Sequence, residues 1–289
     1  MLKGDIQKKM QKQLSNHIQN KLNYSLKTVG DMALKRRAKE VIKGLDLKKG
    51  DKILEVGCGN GYYLSLLNRL DLELDLTGID IDKSALIDAA KFIGDGSVKL
   101  ILADASKIPF PQNSFDKIVM SEVIEHVDDE EAVLKEALRV LKKGGILSLT
   151  TCNIDYPFFW DPINWVLQHL FGTHIKSGFW AGIWNQHTRL YKKDKIKNLV
   201  EGVGFKVEIR KPLTFWCLPF NHYIVNLIAK LFYAKMLPEN IHKSMNKFQN
   251  NRQPLLVSLG FKLINFIDSL NDLFPQSSGV SIFIKAKKT

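Results

Sequence analysis

Short apolar segments alternate with helix-like stretches through the central third of the chain. Strand patterns are predicted at 52–56, 76–81, 98–103, 115–120 and 145–151. Helical spacing of apolar residues is predicted at 62–70, 83–92 and 130–141. Strands that alternate with helices of this length favour right-handed βαβ units and a parallel sheet covered by helices on both faces.

The segments outside this central region differ in pattern. Residues 1–29 are polar and basic, which predicts a weakly amphipathic helix or a mobile arm, and 30–152 form the α/β core. Residues 153–186 are rich in aromatic residues, glycine and proline, whereas 187–212 return to the α/β pattern with a helix at 192–201 and a strand at 205–212. Residues 213–275 form an apolar, helical insertion, and 276–289 contain a last strand at 280–286.

Composition excludes several classes of protein. With 45% hydrophobic and 25% charged residues in 289, the chain is expected to be a folded globular protein. The three cysteines have no CxxC spacing, so neither a zinc site nor a disulfide framework is indicated. The N-terminus lacks the apolar segment of a secretory signal, and 213–229 contains too many polar residues for a good membrane span. A cytoplasmic location, with membrane association left open, is the expectation.

The net charge of +12 is unevenly distributed. Residues 51–150 contain 18 carboxylates against 11 cations, whereas 1–50 contain 4 against 13 and 151–289 contain 8 against 18. Basic flanks favour an anionic partner such as a lipid surface, a phosphorylated substrate or nucleic acid. Lysine-rich, solvated surfaces without a partner explain the same charge equally well.

A glycine-rich turn follows the first predicted core strand, in the sequence Ile53-Leu-Glu-Val-Gly-Cys-Gly-Asn-Gly61. Glycines allow the backbone to pass close to a ligand, and the next helix presents free amide groups there. A dinucleotide fingerprint requires a third glycine at the position of Tyr62. The acid at Glu55 suits a ligand with an ammonium and a sulfonium group better than a pyrophosphate.

Acidic residues also end the next two strands. Asp80 stands where a ribose diol is normally bound, and Asp104 could accept a hydrogen bond from an adenine amine. One such acid alone could be a helix cap or a turn residue. Three acids at the carboxyl ends of three successive strands indicate a ligand site, because open α/β sheets bind ligands at that edge.

Five motifs resemble, in their order and spacing, those of the class I S-adenosylmethionine-dependent methyltransferases, and in particular of the type 11 methyltransferases. The motifs are ILEVGCGNG, GIDID, LADAS, FDKIVMSEVIEHVDD and LKKGGILSLTTCN. The resemblance is tight over about 50–152. It implies a Rossmann-like, doubly wound seven-stranded sheet with an antiparallel last strand, here carrying a helical, aromatic-rich C-terminal cap. It also implies S-adenosylmethionine as cofactor, bound by Glu55, Gly57, Cys58, Gly59, Gly61, Asp80, Ile81 (against the adenine), Asp104, Ala105 and Ser121.

Glu122, Glu125 and His126 form a further candidate site. On a helix, their spacing would place all three side chains on one face. The segment is similar to one in quinone-pathway O-methyltransferases, where it can hold a divalent metal, and carboxylates with an imidazole are reasonable ligands. Similar segments without metal are widespread in the superfamily, so a metal is compatible with the pattern but not expected.

Two histidines are candidates for a catalytic base. His126 belongs to the segment just described, and His187 lies with Arg189 in a segment that many relatives place beside the substrate pocket. Histidine suits this role because its pKa is close to neutrality. An ordinary structural role for either histidine remains an alternative.

The C-terminal insertion places several large apolar residues on one helical face: Leu255, Leu256, Leu259, Leu263, Phe266, Ile267 and Leu270. We interpret 213–274 as an interfacial lid that admits a lipid-linked substrate, with a helical cap packed onto the sheet domain as the alternative. We interpret 153–186 as a cap whose aromatic residues form a core. The predicted enzyme methylates a small, hydrophobic or lipid-linked acceptor by direct displacement, with anionic membrane as a candidate partner. An RNA methyltransferase and a non-catalytic cofactor-binding protein are the alternatives, although SEVIEH after the fourth strand argues against a nucleic-acid partner. The sequence leaves the oligomeric state and the acceptor undetermined.

Overall fold

The computed structural model describes residues 2–94, 96–184, 187–220, 223, 224, 227, 255–274 and 277–289. Within these residues, seven strands form one sheet. The strands are β1 (Lys52–Val56), β2 (Asp75–Asp80), β3 (Lys99–Leu102), β4 (Phe115–Ser121), β5 (Leu141–Cys152), β6 (Phe205–Leu213) and β7 (Ser281–Lys288). Their spatial order is β3-β2-β1-β4-β5-β7-β6, and β7 is antiparallel to both of its neighbours.

Helices cover the sheet and extend from it. They are α1 (Leu2–Leu26), α2 (Met32–Gly44), α3 (Tyr62–Asn68), α4 (Lys83–Ile93), α5 (Glu130–Val140), α6 (Pro162–Phe171), α7 (Lys193–Gly202) and α8 (Leu255–Leu273). A 3₁₀ segment spans Phe179–Trp184. The predicted α/β class, the seven-stranded sheet and the antiparallel last strand are confirmed.

Aspartates cap four of these helices. Asp31, Asp82, Asp129 and Asp161 precede α2, α4, α5 and α6, and each carboxylate accepts a hydrogen bond from a backbone N–H of the first turn. Such a cap satisfies a donor that has no partner within the helix and stabilises the helix by about 1 kcal/mol. Short polar caps therefore stabilise the starts of these four helices.

Side chains of the central strands alternate between the two faces of the sheet, and this divides the core into two layers. Ile53 of β1 and Val119 of β4 pack with α1, α2 and α3, whereas Leu54 and Ile118 pack with α5 and α7 on the other face. Neighbouring residues of a strand point to opposite faces, so these continuous apolar strands bury side chains in both layers. Leu22 and Leu26 attach α1 to the first layer.

The junction between α5 and β5 differs from its predicted boundaries. The pattern predicts a helix to residue 141 and a strand from 145, but α5 ends at Val140 and β5 begins at Leu141. Leu141 is paired with Phe115 of β4 before an irregularity in register, and Gly144 adopts a φ of +77°. Leu141 continues the helical spacing of apolar residues because its side chain is buried like those of α5, although it belongs to β5.

The C-terminal cap contains α6, the 3₁₀ segment and α8. Residues 228–254 of the predicted insertion 213–275 lie outside the described residues, as do 221, 222, 225, 226 and 275. Among the residues that the structure describes, none of the helices combines the length and the apolar character that a bilayer-spanning helix requires. Tyr156 and Trp160 are buried, but Phe171 and Trp180 are exposed, so the aromatic segment is only partly a core.

Asp161 connects the parts of this cap. Its buried carboxylate accepts hydrogen bonds from Tyr223 Oη, from the Ile183 N–H, and from both the backbone and the side-chain amide of Asn164. We expect Asp161→Ala to lower the free energy of unfolding by about 3 kcal/mol, because several buried donors lose their acceptor together. Urea denaturation followed by circular dichroism measures this difference.

The matched control is Asp155→Ala, which removes an exposed carboxylate from the same segment. We expect this control to change the stability by less than about 0.5 kcal/mol. Equal stabilities of the two variants would contradict the proposed role of Asp161.

Candidate active site

The order of strands in the sheet reverses between β1 and β4. β2 and β3 lie on one side of β1, and β5 lies beyond β4, so a crevice opens where the carboxyl ends of β1 and β4 separate. Ligands of open α/β sheets bind in such a crevice. The turns that follow these two strands contain half of the predicted site residues.

The glycine turn (residues 57–61) follows β1. Gly57, Gly59 and Gly61 all have positive φ, between +50° and +76°. An added Cβ at Gly57 would lie 2.6 Å from Val123, whereas one at Gly59 would meet no atom within 4 Å. Gly57 is therefore needed for close packing, and Gly59 leaves open space for a ligand beside the backbone.

Glu55 and Cys58 are both buried around this turn. The Glu55 carboxylate accepts a hydrogen bond from the Leu64 N–H of α3, and burial raises the pKa of Glu55 well above its ordinary value. The Cys58 backbone is bonded to Ile79 and Gly61, and its side chain packs towards Gly78. We expect Cys58 to shape the turn without contacting the cofactor, while Glu55 remains a predicted cofactor contact.

Asp80 links the end of β2 to the glycine turn. One carboxylate oxygen accepts the Gly59 N–H at 2.7 Å, and the other accepts the Asp82 N–H at 2.9 Å. Each oxygen keeps a further lone pair, so a ribose diol can still be bound. The next residue, Ile81, is 74% exposed although it is large and apolar. An exposed apolar side chain beside a carboxylate with unused lone pairs suits the predicted adenosine.

Asp104 and Ala105 follow β3 on the same edge of the sheet. Asp104 is exposed and accepts the Ser106 N–H at 2.8 Å, and this hydrogen bond lowers the pKa of its carboxyl. Leu102, at the end of β3, is also exposed. The structure thus places the predicted adenine-binding residues on two adjacent strand ends, beside apolar surface.

Ser121 ends β4 on the other side of the crevice. Its hydroxyl is hydrogen bonded to Tyr63 Oη and to Thr150 Oγ1, each at 2.8 Å. These bonds join α3, β4 and β5 at the edge of the glycine turn. The Ser121 side chain therefore maintains the shape of the crevice, and a backbone contact to the cofactor stays a prediction.

The segment from Glu122 to His126 is not helical, which corrects the prediction of one helical face. Glu122 has a φ of +56°, and the chain then makes a turn stabilised by the bond from the His126 N–H to the Val123 carbonyl. A positive φ interrupts a right-handed helix. As a result Glu122 and Glu125 point together into the protein, whereas His126 is exposed.

Four side chains instead form a cluster beyond β4 and β5. The acid–histidine cluster consists of Glu122, Glu125, Cys152 and His187, whose ligand-type atoms lie within 4.8 Å of one another. Cys152 Sγ donates to Glu122 Oε2 at 3.0 Å, and Thr151 donates to Glu125 Oε2 at 2.9 Å. The other oxygen of Glu125, Oε1, is buried and has no hydrogen-bond partner within the described part of the chain.

His187 is held in one orientation. Its Nδ1 lies 2.5 Å from the Ile183 carbonyl, which can only accept, so Nδ1 carries a proton and Nε2 is the acceptor nitrogen of the neutral ring. Nε2 lies 3.6 Å from Cys152 Sγ and 3.8 Å from Glu125 Oε1, and the ring stacks on His126. Burial lowers the pKa of His187, and Glu122 offsets only part of this effect. The imidazole is therefore neutral at neutral pH and can accept a proton.

The buried acids of the cluster share one counter-ion. Arg37 of α2 lies 2.5 Å from Glu122 Oε2. Burial, together with the neighbouring Glu122, raises the pKa of Glu125 to about 8, so Glu125 holds a proton at neutral pH. Burial and Glu122 likewise keep Cys152 in its thiol form by raising its pKa. The four side chains carry ligand-type atoms, but Glu122 is already paired with a guanidinium, and we assign no metal ligands here.

Sequence reasoning missed Arg37 and Cys152. Arg37 lies in the basic run of α2, which resembles an ordinary solvated surface, and only the packing of α2 against the sheet brings it to Glu122. Cys152 is the last residue of β5, and its position at a strand end could have indicated a site residue. Arg189, in contrast, pairs with Glu130 at 3.1 Å beside the cluster.

Comparison with known proteins agrees with this geometry. Residues 54–149 match the model of a methyltransferase domain family. A demethylmenaquinone methyltransferase from Staphylococcus haemolyticus is 31% identical over 181 residues, which cover 60% of this chain and 76% of the relative. A demethylmenaquinone methyltransferase from Staphylococcus aureus is 36% identical over 124 residues, which cover 42% of this chain and about half, 52%, of that relative.

A solved structure with a similar fold contains a product of methyl transfer. It is phosphoethanolamine N-methyltransferase 2 from Haemonchus contortus, in complex with phosphomonomethylethanolamine and S-adenosylhomocysteine. The TM-score is 0.54 at 18% identity, over 87% of this chain and 52% of that protein. With the strand order, the glycine turn and the strand-end acids already described, the chain belongs to the class I S-adenosylmethionine-dependent methyltransferases.

Proposed function

We propose that this methyltransferase acts on a hydroxylated aromatic acceptor that carries a lipid tail, of the lipid-quinone class. The observation that carries the proposal is the position of His187, whose acceptor nitrogen Nε2 lies 3.6 Å from Cys152 Sγ and 3.8 Å from Glu125 Oε1, at the carboxyl ends of the central strands. An acceptor hydroxyl in this position would find a neutral base. The relatives named demethylmenaquinone methyltransferases support a quinone-type acceptor.

The protein's own groups would activate the acceptor. His187 Nε2 accepts the proton of the acceptor hydroxyl, and the electron pair left behind makes the oxygen, or a ring carbon conjugated with it, nucleophilic. Where a ring carbon takes the methyl group, that carbon then releases its own hydrogen as a proton to solvent. The imidazolium that forms is stabilised by the Glu122 carboxylate, while the Ile183 carbonyl keeps the ring oriented. The cofactor, when bound, supplies an electrophilic methyl group on a sulfonium leaving group. Alignment of the two reactants contributes the remaining rate enhancement.

An apolar wall beside the cluster suits a hydrophobic acceptor. Cys152 belongs to a buried cluster with Tyr156, Trp160 and Ile183, against which Trp165 and Trp184 also pack. Aromatic side chains provide large apolar surfaces that exclude water and stack on flat rings. These residues come from the segment 153–186, which is therefore proposed to contribute to the acceptor pocket.

Transfer of labelled methyl groups tests the proposal. The protein is incubated with S-adenosylmethionine labelled in its methyl group and with dithionite-reduced demethylmenaquinone, and the lipids are extracted into organic solvent. We expect label in the quinone fraction, and none when menaquinone, already methylated, replaces the acceptor. The proposed acceptor would be overturned if the protein binds the cofactor but no label enters the quinone fraction of the reaction with demethylmenaquinone.

A further inference from the structure

Glu125 has a buried carboxyl oxygen whose hydrogen-bonding capacity the described residues leave unused. Its side chain is completely enclosed. Oε2 accepts a hydrogen bond from the Thr151 hydroxyl at 2.9 Å, but Oε1 has no partner among the described residues, and the same holds for Glu122 Oε1 and Arg37 Nε beside it. Folded proteins rarely leave buried polar atoms without partners, so three of them at one site indicate that a polar ligand group binds there.

The hydrogen-bonding character of Glu125 Oε1 follows from its surroundings. Arg37 pairs with Glu122, and within the described part of the chain no lysine or arginine pairs with Glu125. An enclosed carboxyl beside another acid therefore stays protonated at neutral pH, with a pKa raised to about 8. Because the Thr151 hydroxyl donates to Oε2, the carboxyl proton lies on Oε1. Oε1 is thus a hydrogen-bond donor.

This donor lies opposite the acceptor nitrogen of His187. Oε1 is 3.8 Å from Nε2, which is too far for a direct hydrogen bond. Thr188, the next residue after His187, donates to the backbone carbonyl of Glu125 at 2.5 Å and holds the two residues in this relation. An oxygen atom about 2.8 Å from both atoms can bridge them. A hydroxyl suits this place, since it donates to Nε2 and accepts from Oε1.

We propose that Glu125 is a second catalytic residue, which donates the hydrogen bond that stabilises the acceptor oxygen while His187 removes its proton. In this step the O–H bond of the acceptor breaks, an N–H bond forms at Nε2, and the electron pair stays on the oxygen. Glu125 keeps its own proton and donates to the developing oxyanion, a contact that strengthens as the charge develops. His187 is partly exposed, so the acceptor approaches the enclosed Glu125 past its ring. The inference rests on the proposed function, because it requires an acceptor hydroxyl at His187.

The pH dependence of kcat separates this role from a structural one. In the described part of the chain, the titratable and charged groups around Glu125 are Glu122, Cys152 and His187, with Arg37 beyond Glu122. Burial raises the pKa of Cys152 well above its ordinary value, so the thiol does not ionise near neutrality. Only protonated Glu125 donates from Oε1, and kcat of wild type should therefore fall as the pH rises through about 8. A purely structural carboxyl would produce no such alkaline fall.

Two substitutions of Glu125 test the inference by transfer of labelled methyl groups to reduced demethylmenaquinone. Glu125→Met has a similar size but no donor, and we expect it to lower kcat by about 100-fold, as the loss of an oxyanion donor does. Glu125→Gln can accept the Thr151 hydroxyl through its carbonyl and present an amide N–H in place of the carboxyl O–H. It should lower kcat by less than about tenfold, and the alkaline fall should disappear because an amide does not titrate.

A control variant and cofactor binding exclude loss of fold as the cause. Glu131→Gln removes an exposed carboxyl from α5 and should preserve both kcat and the alkaline fall. All three variants should bind S-adenosylmethionine within a few-fold of wild type. The inference is overturned if wild type lacks the alkaline fall, if Glu125→Gln retains it, or if Glu125→Met keeps the wild-type kcat.

A binding measurement distinguishes the role of Glu125 from the identity of the acceptor. 4-Nitro-1-naphthol, whose anion absorbs visible light, is titrated with each protein in the presence of S-adenosylhomocysteine. We expect Glu125→Met to bind the naphtholate at least tenfold more weakly than wild type, and Glu125→Gln to bind it within about threefold of wild type. If this difference is found but wild type does not methylate demethylmenaquinone, the proposed acceptor fails and the role of Glu125 is supported. Equal affinities of wild type and Glu125→Met, or no binding to wild type, would contradict that role.

Discussion

Asp80→Ala is expected to weaken the binding of S-adenosylmethionine and of S-adenosylhomocysteine by at least tenfold, or about 1.4 kcal/mol. The substitution removes the proposed ribose contact. It also releases the Gly59 and Asp82 N–H groups that the carboxylate accepts at 2.7 and 2.9 Å, so the glycine turn loses its anchor. Isothermal titration calorimetry with both ligands measures the effect.

Asp88→Ala provides the control for this prediction. Asp88 is an exposed carboxylate of α4 that pairs with Lys91, 3.4 Å away at the surface. Exposed pairs of this kind contribute little, so the affinity for either ligand should change by less than about twofold. An Asp80→Ala protein that binds both ligands like wild type would remove Asp80 from the proposed cofactor site.

His187→Gln is expected to lower kcat by about 100-fold or more while the affinity for S-adenosylmethionine stays within a few-fold of wild type. The loss follows from the proposed transfer of the acceptor proton to Nε2. In wild type, kcat should fall as the pH drops through the pKa of His187, which burial places below its ordinary 6.5, because only the neutral ring accepts a proton. The variant should lack this limb of the pH profile.

His126→Gln separates the two candidate bases. His126 stacks on His187 at 4.8 Å but is exposed and lies outside the acid–histidine cluster. We expect its substitution to change kcat by only a few-fold and to preserve the pH limb. The reverse result, a large loss in His126→Gln and a small one in His187→Gln, would assign the base to His126.

The fold could be predicted from the sequence because its signals are local. Continuous apolar segments such as 52–56 predict buried parallel strands, and the aspartates that cap α4 and α5 mark the helix starts. The glycine turn and the acids that end β1, β2 and β3 follow directly from these strands. Their place at one edge of the sheet is a consequence of parallel topology.

The acceptor side could not be predicted in the same way, because its contacts join distant segments. Arg37, Glu122 and His187 meet only when α2, β4 and the cap pack together. The positive φ of Glu122 is also invisible in the residue pattern, and it breaks the helical face that the spacing suggested.

The orientation of helix α8 could not be predicted from the sequence either. The sequence predicts one apolar face that includes Leu259, Leu263 and Phe266, but it does not reveal which side contacts the protein. The burial of Asp268 against α2 decides this, and it leaves Leu259, Leu263 and Phe266 exposed. Ile267 of the same predicted face instead packs against the buried cluster around Cys152. That outcome depends on the positions of Lys35 and Arg36, which are far away in the chain.

A crystal structure of the complex with S-adenosylhomocysteine tests the central claim most directly. The account predicts the ribose on Asp80, the adenine against Ile81 and the amino acid part over the glycine turn, with the sulfur facing His187 and the rest of the acid–histidine cluster. A ligand bound elsewhere, or a sulfur turned away from that cluster, would contradict it.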